Sequence, residues 1–116
     1  MEITVRETEH ATVLGLTGRL DMATGSALKT EIKKLLEKEK TSIHINLRDV
    51  EFINSSGLGA LVSIMKEVRI RKGRLTLSNL ASYVQEIFEI TQLTHIFDIY
   101  PTEQEALASF RPVTVG

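Results

Sequence analysis

The sequence predicts an α/β fold built on one mixed β-sheet, and two observations support this. Apolar and polar residues alternate near the N-terminus, as in a strand hairpin, and further along the chain strand-like and helix-like segments follow one another in turn. Such an alternation usually forms parallel strands joined by right-handed helical crossovers. The 116 residues, 42% of them hydrophobic, suffice for one domain with one core and are too few for two.

The first half of the chain contains the hairpin, a helix and a third strand. Ile3 and Val5 alternate with polar neighbours, and residues 12–17 have the β-branched composition of a second strand. Leucines and isoleucines at helical spacing then predict a first helix from the mid-twenties to Glu39. Residues 43–47 again alternate apolar and polar side chains, which indicates a third strand.

The second half alternates helix and strand up to a closing helix. Apolar positions from Leu58 onward follow helical spacing, and Gly73 is expected to end this second helix. The remaining predicted elements are a fourth strand at residues 75–77, a third helix around residues 84–88, a last strand at residues 96–100 and a closing helix after a capping box at residues 102–105. We expect residues 1–110 to form one domain and residues 111–116 to be a flexible C-terminal tail.

Charge and cysteine content exclude several classes of function. The chain has 14 basic and 15 acidic residues, so no overall field draws it onto nucleic acid or an anionic membrane. It has no cysteine, which excludes disulfides and thiolate metal sites and fits a reducing cytoplasm. The N-terminus lacks the apolar block of a secretory signal, and no apolar stretch is long enough to span a bilayer. We therefore expect a cytoplasmic protein that binds neither nucleic acid nor membrane directly.

The histidines and one group of basic residues are best explained by structural roles. His10, His44 and His95 are scattered along the sequence, which is typical of structural or surface histidines and predicts no metal site. The basic residues between positions 66 and 74 complement the C-terminal end of a helix dipole and have no interleaved aromatic residues for nucleic acid. We expect neither a metal nor another cofactor.

The turn before the second helix carries more polar groups than a cap requires. Asn54, Ser55 and Ser56 can each cap a helix, although one cap residue suffices. Gly57 and Gly59 follow, and each glycine costs roughly 1 kcal/mol relative to alanine inside a helix. The turn is therefore either a plain cap and tight turn, or a place where another molecule's backbone approaches closely. A serine here could also act as a switch, because a phosphate adds about −1.5 to −2 charge.

The sequence matches none of three motifs that are typical of nucleotide-binding proteins and serine hydrolases. The segment from Gly57 begins like a dinucleotide fingerprint, but its third small position is Val62. The sequence has no phosphate loop ending in Gly-Lys-Ser/Thr and no Gly-x-Ser-x-Gly elbow. We expect a non-enzymatic binding module without catalytic residues, and the alternative is a small α/β domain that binds a phosphate or a nucleotide.

Two segments together resemble a known family. Gly18-Arg19-Leu20-Asp21 precedes the first helix, and Phe52-Ile53-Asn54-Ser55-Ser56-Gly57-Leu58-Gly59 precedes the second. In this order, after a hairpin, they closely resemble the STAS domains of bacterial anti-sigma factor antagonists. The resemblance extends over nearly the whole chain, and the serine-glycine segment is its most specific part.

The resemblance implies a partner switch. The unmodified antagonist would bind an anti-sigma factor that is also a serine kinase of the histidine-kinase-like ATPase fold, and so release a sigma factor. Phosphorylation of Ser55 would break the complex, and a serine phosphatase would restore it. The partner-binding residues would be Asp21 together with Asn54, Ser55, Ser56, Gly57, Leu58 and Gly59. Related switches also regulate processes other than transcription.

One residue departs from the family pattern. The motif usually begins with aspartate, and this chain has Asn54. Asparagine keeps a capping oxygen and lacks the charge. The exchange either weakens recognition by the kinase or lessens repulsion with a phosphate on Ser55, and the sequence leaves both effects open.

Overall fold

The computed structural model describes residues 2–110, and this part of the chain forms one five-stranded sheet with four α-helices. The strands are β1 (Glu2–Glu7), β2 (Thr12–Leu20), β3 (Ser42–Ile53), β4 (Arg74–Ser78) and β5 (Asp98–Tyr100). The helices are α1 (Met22–Glu37), α2 (Ser55–Ile70), α3 (Ser82–Ile90) and α4 (Glu103–Ala108), with a 3₁₀ turn at Leu93–His95. The predicted α/β class and its order of elements are confirmed.

The sheet is mixed, as the sequence predicts. Its strand order is β1-β2-β3-β4-β5, with β1 antiparallel to β2 and the other neighbours parallel. Helical crossovers connect the parallel strands β2, β3 and β4. Because β2 and β3 run in the same direction, their carboxyl ends meet at one edge of the sheet, where Leu20 pairs with Ile53.

The hydrophobic core lies between the sheet and the paired helices α1 and α2. It includes Leu28 and Ile32 of α1, Ile45 of β3 and Leu61 of α2, all at most 2% exposed. Neighbouring side chains of a strand point to opposite faces, so Asn46 points away from this core. On that second face its Nδ2 donates to Glu103 at the start of α4, at 3.2 Å. Helices therefore lie against both faces of the sheet, with the short helix α4 on the second face.

The predicted start of α1 was wrong, since the helix begins at Met22 rather than in the mid-twenties. The helix α2 begins at Ser55, ahead of its first apolar position Leu58, and its cap is one of the three predicted cap residues. Asp21 and Asn54 are the N-caps of the two helices. Hydrophobic periodicity marks only the buried side of a helix, so it misses a first turn that has little apolar surface.

Other boundaries differ as well. The strand β3 extends beyond the predicted residues 43–47 to Ile53, because its second half pairs with the end of β2 across two register shifts. The helix α1 ends at Glu37 rather than Glu39, which has a left-handed φ of 61°. The last strand begins at Asp98 rather than at residue 96, because a 3₁₀ turn precedes it.

The helix α2 ends at Ile70, so Gly73 does not directly follow it, which differs from the prediction. The left-handed residue is Lys72, with φ of 58°. Gly73 is required for space, because a Cβ atom there would overlap Thr41. The predicted tail, residues 111–116, lies outside the described residues, and the domain boundary at residue 110 stays a prediction.

No helix within residues 2–110 is both long enough and apolar enough to cross a membrane.

Candidate functional site

The starts of α1 and α2 lie next to each other at the carboxyl ends of β2 and β3. Leu20 and Ile53 are paired residues, and the Asn54 backbone N–H donates to Leu20 O at 3.3 Å. Asp21 and Asn54, one residue further along each strand, are the N-caps of the two helices. The register of two parallel strands thus brings together predicted partner-binding residues that are more than thirty positions apart in the sequence.

The first turns of the two helices are packed tightly. A Cβ atom at Gly57 would overlap the Leu20 carbonyl, and one at Gly25 of α1 would lie 2.8 Å from Ala60 Cβ of α2. Gly57 is buried, and Leu58 packs against the core. Packing within the chain therefore explains why residue 57 is glycine. Gly57 and Leu58 fix the position of the turn and contribute little to its exposed surface.

Gly59 is different. It is exposed, and a Cβ atom there would meet nothing within 4 Å among the described residues. Packing within the chain does not offset the roughly 1 kcal/mol that glycine costs relative to alanine at a helical position. Of the two glycines, only Gly59 remains a candidate for close approach by another molecule.

Ser55 and Ser56 have exposed side chains with no structural role in the described part of the chain. They are the first two residues of α2, and neither hydroxyl forms a hydrogen bond with residues 2–110. The capping is done by Asn54, whose Oδ1 accepts from the Gly57 backbone N–H at 2.9 Å. Both hydroxyls are therefore accessible to solvent and free of hydrogen bonds within residues 2–110.

Asp21 carries a negative charge beside this turn. Its Oδ1 accepts from the Thr24 N–H at 3.2 Å, and Thr24 Oγ1 accepts from the Asp21 N–H at 2.8 Å, which completes a capping box. The backbone N–H of Thr24, followed by its hydroxyl, lowers the pKa of the Asp21 carboxyl below its usual value. The carboxylate is therefore ionised at neutral pH.

The structure adds three residues that the sequence analysis does not assign to the site. Met22, the first residue of α1, is 74% exposed and directly follows the Asp21 cap. The Arg19 guanidinium lies 4.0 Å from the centre of the Phe52 ring, its cross-strand partner. Because α1 was predicted to begin in the mid-twenties, Met22 was not assigned to its first turn. The Arg19–Phe52 pair depends on a register shift that has no sequence signal.

His44 has a structural role, as the sequence predicts. His44 is fully buried, with Nδ1 2.7 Å from Thr76 Oγ1 and Nε2 2.7 Å from Ser78 Oγ. Burial lowers the pKa of His44 to about 4, while the nearby Glu103 carboxylate opposes this shift. The ring is therefore neutral at physiological pH and joins β3 to β4.

Three of the five residues in the basic cluster hold the fold together. Arg69 donates to Ile96 O at 2.9 Å, and Arg71 donates to Leu36 O at 3.2 Å. The Arg74 guanidinium donates to Tyr100 Oη and to Ser109, and it lies over the Phe110 ring at 4.9 Å. Within residues 2–110, no three His, Asp or Glu side chains are placed so that they could hold a metal ion.

The fold and the exposed turn together define a small α/β module with exposed polar residues at two adjacent helix starts. The STAS domain family model matches residues 2–106. The chain therefore belongs to the STAS domain family.

Three relatives show how closely the chain follows this family. It is 32% identical over 105 residues to the anti-sigma-B factor antagonist of Listeria monocytogenes, covering 90% of this chain and 91% of the relative. A crystal structure from Thermotoga maritima superposes with a TM-score of 0.88 at 26% identity, covering 95% of both chains. The Bacillus cell fate determinant SpoIIAA in its phosphorylated form has a TM-score of 0.74 at 25% identity, covering 95% of this chain and 100% of that one.

These relatives bear on function as well as fold. The Listeria relative is an antagonist of an anti-sigma factor, so its name implies an anti-sigma factor as its partner. SpoIIAA has been solved in a phosphorylated form. This chain is thus a STAS domain protein with anti-sigma factor antagonists among its relatives.

Proposed function

We propose that this protein is an anti-sigma factor antagonist switched by phosphorylation of Ser55. In its unmodified form it binds an anti-sigma factor that is also a serine kinase of the histidine-kinase-like ATPase fold, and a sigma factor is released. Phosphorylation of Ser55 ends this binding, and a serine phosphatase restores it. The observation that carries the proposal is the exposed Ser55 hydroxyl at the first position of α2, beside a separate residue that does the capping.

The partner binds the surface formed by the two helix starts, which we call the docking face. It comprises Asp21, Met22, Asn54, Ser55, Ser56, Gly57, Leu58 and Gly59. Met22 supplies exposed apolar area, Asp21 supplies charge, and the bare backbone at Gly59 allows close approach. The buried Gly57 and the half-buried Leu58 contribute by fixing the position of the turn.

Phosphoryl transfer at Ser55 needs nothing from this chain beyond an accessible hydroxyl. Ser55 Oγ forms a bond to the γ-phosphorus of ATP, the bond from that phosphorus to ADP breaks, and the hydroxyl proton passes to a base of the kinase. The product places about two negative charges in the middle of the docking face. Burying that charge in an interface without a cationic partner costs several kcal/mol, which corresponds to orders of magnitude in affinity.

We further propose that the protein acts as a binding module and not as an enzyme, without a cofactor. The exposure of Ser55, Ser56 and Gly59 at the turn supports this, as do relatives named for antagonism rather than for a reaction. The same switch could regulate a process other than transcription, in which case the partner is a kinase of the same class with a different output.

A binding titration tests the docking role. Calorimetry with the cognate kinase-like partner should give an affinity about 100-fold weaker for Ser55→Asp than for the unmodified chain. Ser55→Ala is the matched control and should bind within about threefold of wild type, because the loss of one exposed hydroxyl changes little. Equal affinities for the two variants would contradict the switch.

Intact-mass measurement tests the modification itself. Incubation with ATP and candidate serine kinases should add one phosphate to the wild type and to Ser56→Ala, and none to Ser55→Ala. A modification that maps to Ser56 instead would move the switch by one residue. Micromolar binding of a nucleotide by the isolated chain would favour the phosphate-binding alternative over the antagonist.

A further inference from the structure

The orientation of the Asn54 side chain is fixed by its capping bond. The Gly57 backbone N–H needs an acceptor, so the side-chain atom 2.9 Å away is the carbonyl oxygen Oδ1. The Nδ2 group must then face away from Gly57 with two N–H donors. Among the residues that the structure describes, Nδ2 has no hydrogen-bond partner.

Two backbone donors lie beside this amide. The N–H groups of Ser55 and Ser56 have no acceptor within residues 2–110, because they are the first two positions of α2. Together with Nδ2 they leave several unpaired donors around the Ser55 hydroxyl. Such donors bind phosphate oxygens strongly, because hydrogen bonds to a charged acceptor are about twice as strong as neutral ones.

We propose that Asn54 holds a phosphate on Ser55 within the same chain, through its Nδ2–H group. This inference rests on the proposed role of Ser55 and deepens it, since it concerns the regulation of the same site. An aspartate at position 54 would offer the same capping oxygen but no donor, and its charge would repel the phosphate. Asparagine therefore favours the phosphorylated state, in which the partner is released.

The charges that surround the turn strengthen the argument. The Asp21 carboxylate lies on the neighbouring helix start and is ionised at neutral pH. Arg19 lies against Phe52 on the adjoining strands, and Glu51 is exposed three residues before Asn54. A carboxylate at position 54 would add a further negative charge next to the phosphate, whereas the asparagine amide adds none.

The test installs phosphoserine directly at position 55 by genetic encoding, so that no kinase is needed. Urea unfolding at pH 7.5 is measured for the wild type, Asn54→Asp and Asn54→Gly, each with serine and with phosphoserine at position 55. Aspartate caps a helix as well as asparagine does, and glycine only slightly less well, so each variant should fold. Asn54→Gly is the matched control, because it adds no charge and removes the side-chain donor.

The expected result is a phosphate effect that depends on residue 54. The factor by which phosphorylation favours the folded state should be about tenfold larger in the wild type than in Asn54→Asp, and about threefold larger than in Asn54→Gly. The Asn54 side-chain amide protons should also move downfield in the ¹H–¹⁵N spectrum of the phosphorylated wild type.

Two outcomes would overturn the inference. An equal phosphate effect in all three chains would mean that residue 54 does not interact with the phosphate. An effect equal in the wild type and Asn54→Gly, but less favourable in Asn54→Asp, would leave charge repulsion alone and no amide bond. Neither outcome alters the partner titration of the unmodified chain, so this inference and the proposed function fail separately.

Discussion

The starts of α1 and α2 lie side by side and are built differently. At α1, Asp21 and Thr24 cap each other reciprocally through two hydrogen bonds. At α2, Asn54 makes one capping bond, and the hydroxyls of Ser55 and Ser56 bond to nothing in the described part of the chain. The α1 cap uses its side chains for the fold, whereas the α2 cap leaves polar groups exposed. Of two neighbouring helix starts, the less completely capped one is the better candidate for contact with a partner.

The two glycines of α2 allow the sharpest test of this difference. Gly57→Ala should destabilise the protein by roughly 3 kcal/mol, because its Cβ would overlap the Leu20 carbonyl and the β2 backbone would have to move. Urea unfolding measures this loss. A loss below about 1 kcal/mol would mean that the two helix starts are not held as tightly as described.

Gly59→Ala is the matched control and should act in the opposite direction. It should stabilise the chain by about 0.5–1 kcal/mol, because the new methyl group meets nothing and alanine favours the helix. The same variant should weaken binding to the kinase-like partner if another backbone packs against this position. Unchanged binding would remove Gly59 from the docking face.

A pH titration separates the interior of the sheet from the docking face. His44 has a folded pKa of about 4, against an ordinary value of 6.5. Because the unfolded chain binds a proton more readily, the His44 contribution to the free energy of unfolding is fully present above about pH 6.5. It falls as the pH drops towards 4, by on the order of 3 kcal/mol. Urea unfolding at pH 7.5, 5.5 and 4 measures this decrease. His44→Gln does not titrate and should lose much less stability over this range.

The two caps should differ when each is removed. Asn54→Ala should cost about 1 kcal/mol, the usual value for one capping bond. Asp21→Ala should destabilise more, because Thr24 loses two bonds to the Asp21 carboxylate, one from its backbone N–H and one from its hydroxyl. The order is checked by urea unfolding at pH 7. The reverse order would contradict the comparison between the two helix starts.

The smallest expected effect concerns the charge of Asp21. Because its folded pKa lies below the ordinary value of 3.8, the ionised carboxylate contributes stability above that pH and loses it as the pH falls through the folded pKa. The stability advantage of the wild type over Asp21→Asn should therefore be present at pH 6 and disappear in strong acid. An advantage that does not change with pH would show that the charge of Asp21 is irrelevant to the cap.

The sequence predicts the order of strands and helices because hydrophobic periodicity reflects burial, which decides where each element lies. It also contains the cap residues Asp21 and Asn54, and of the two helix starts only that of α1 was predicted too late. The juxtaposition of Asp21 with the serine turn followed from the family resemblance, while its physical cause is the pairing of Leu20 with Ile53. Local sequence carries no signal for such a register.

The interpretation of Gly57 shows the same limit. A glycine in a first helical turn indicates either a steric need or an approaching molecule, and only the position of Leu20 distinguishes the two. The enclosure of His44 by Thr76 and Ser78 likewise joins residues more than thirty positions apart. Contacts across the sheet assign these residues their roles, and a single sequence does not contain them.

The strand that carries the serine turn depends on a distant helix. Beyond Asn46, β3 pairs only with β2 in the described sheet, because β4 ends at Ser78. The Tyr83 hydroxyl of α3 accepts from the Ile53 N–H and donates to the Ile53 carbonyl, both at 3.1 Å. A fragment that stopped before α3 would contain every residue of the docking face and would lack the phenol that steadies the peptide in front of it. The proposed docking face therefore depends on the complete domain and not on its N-terminal half alone.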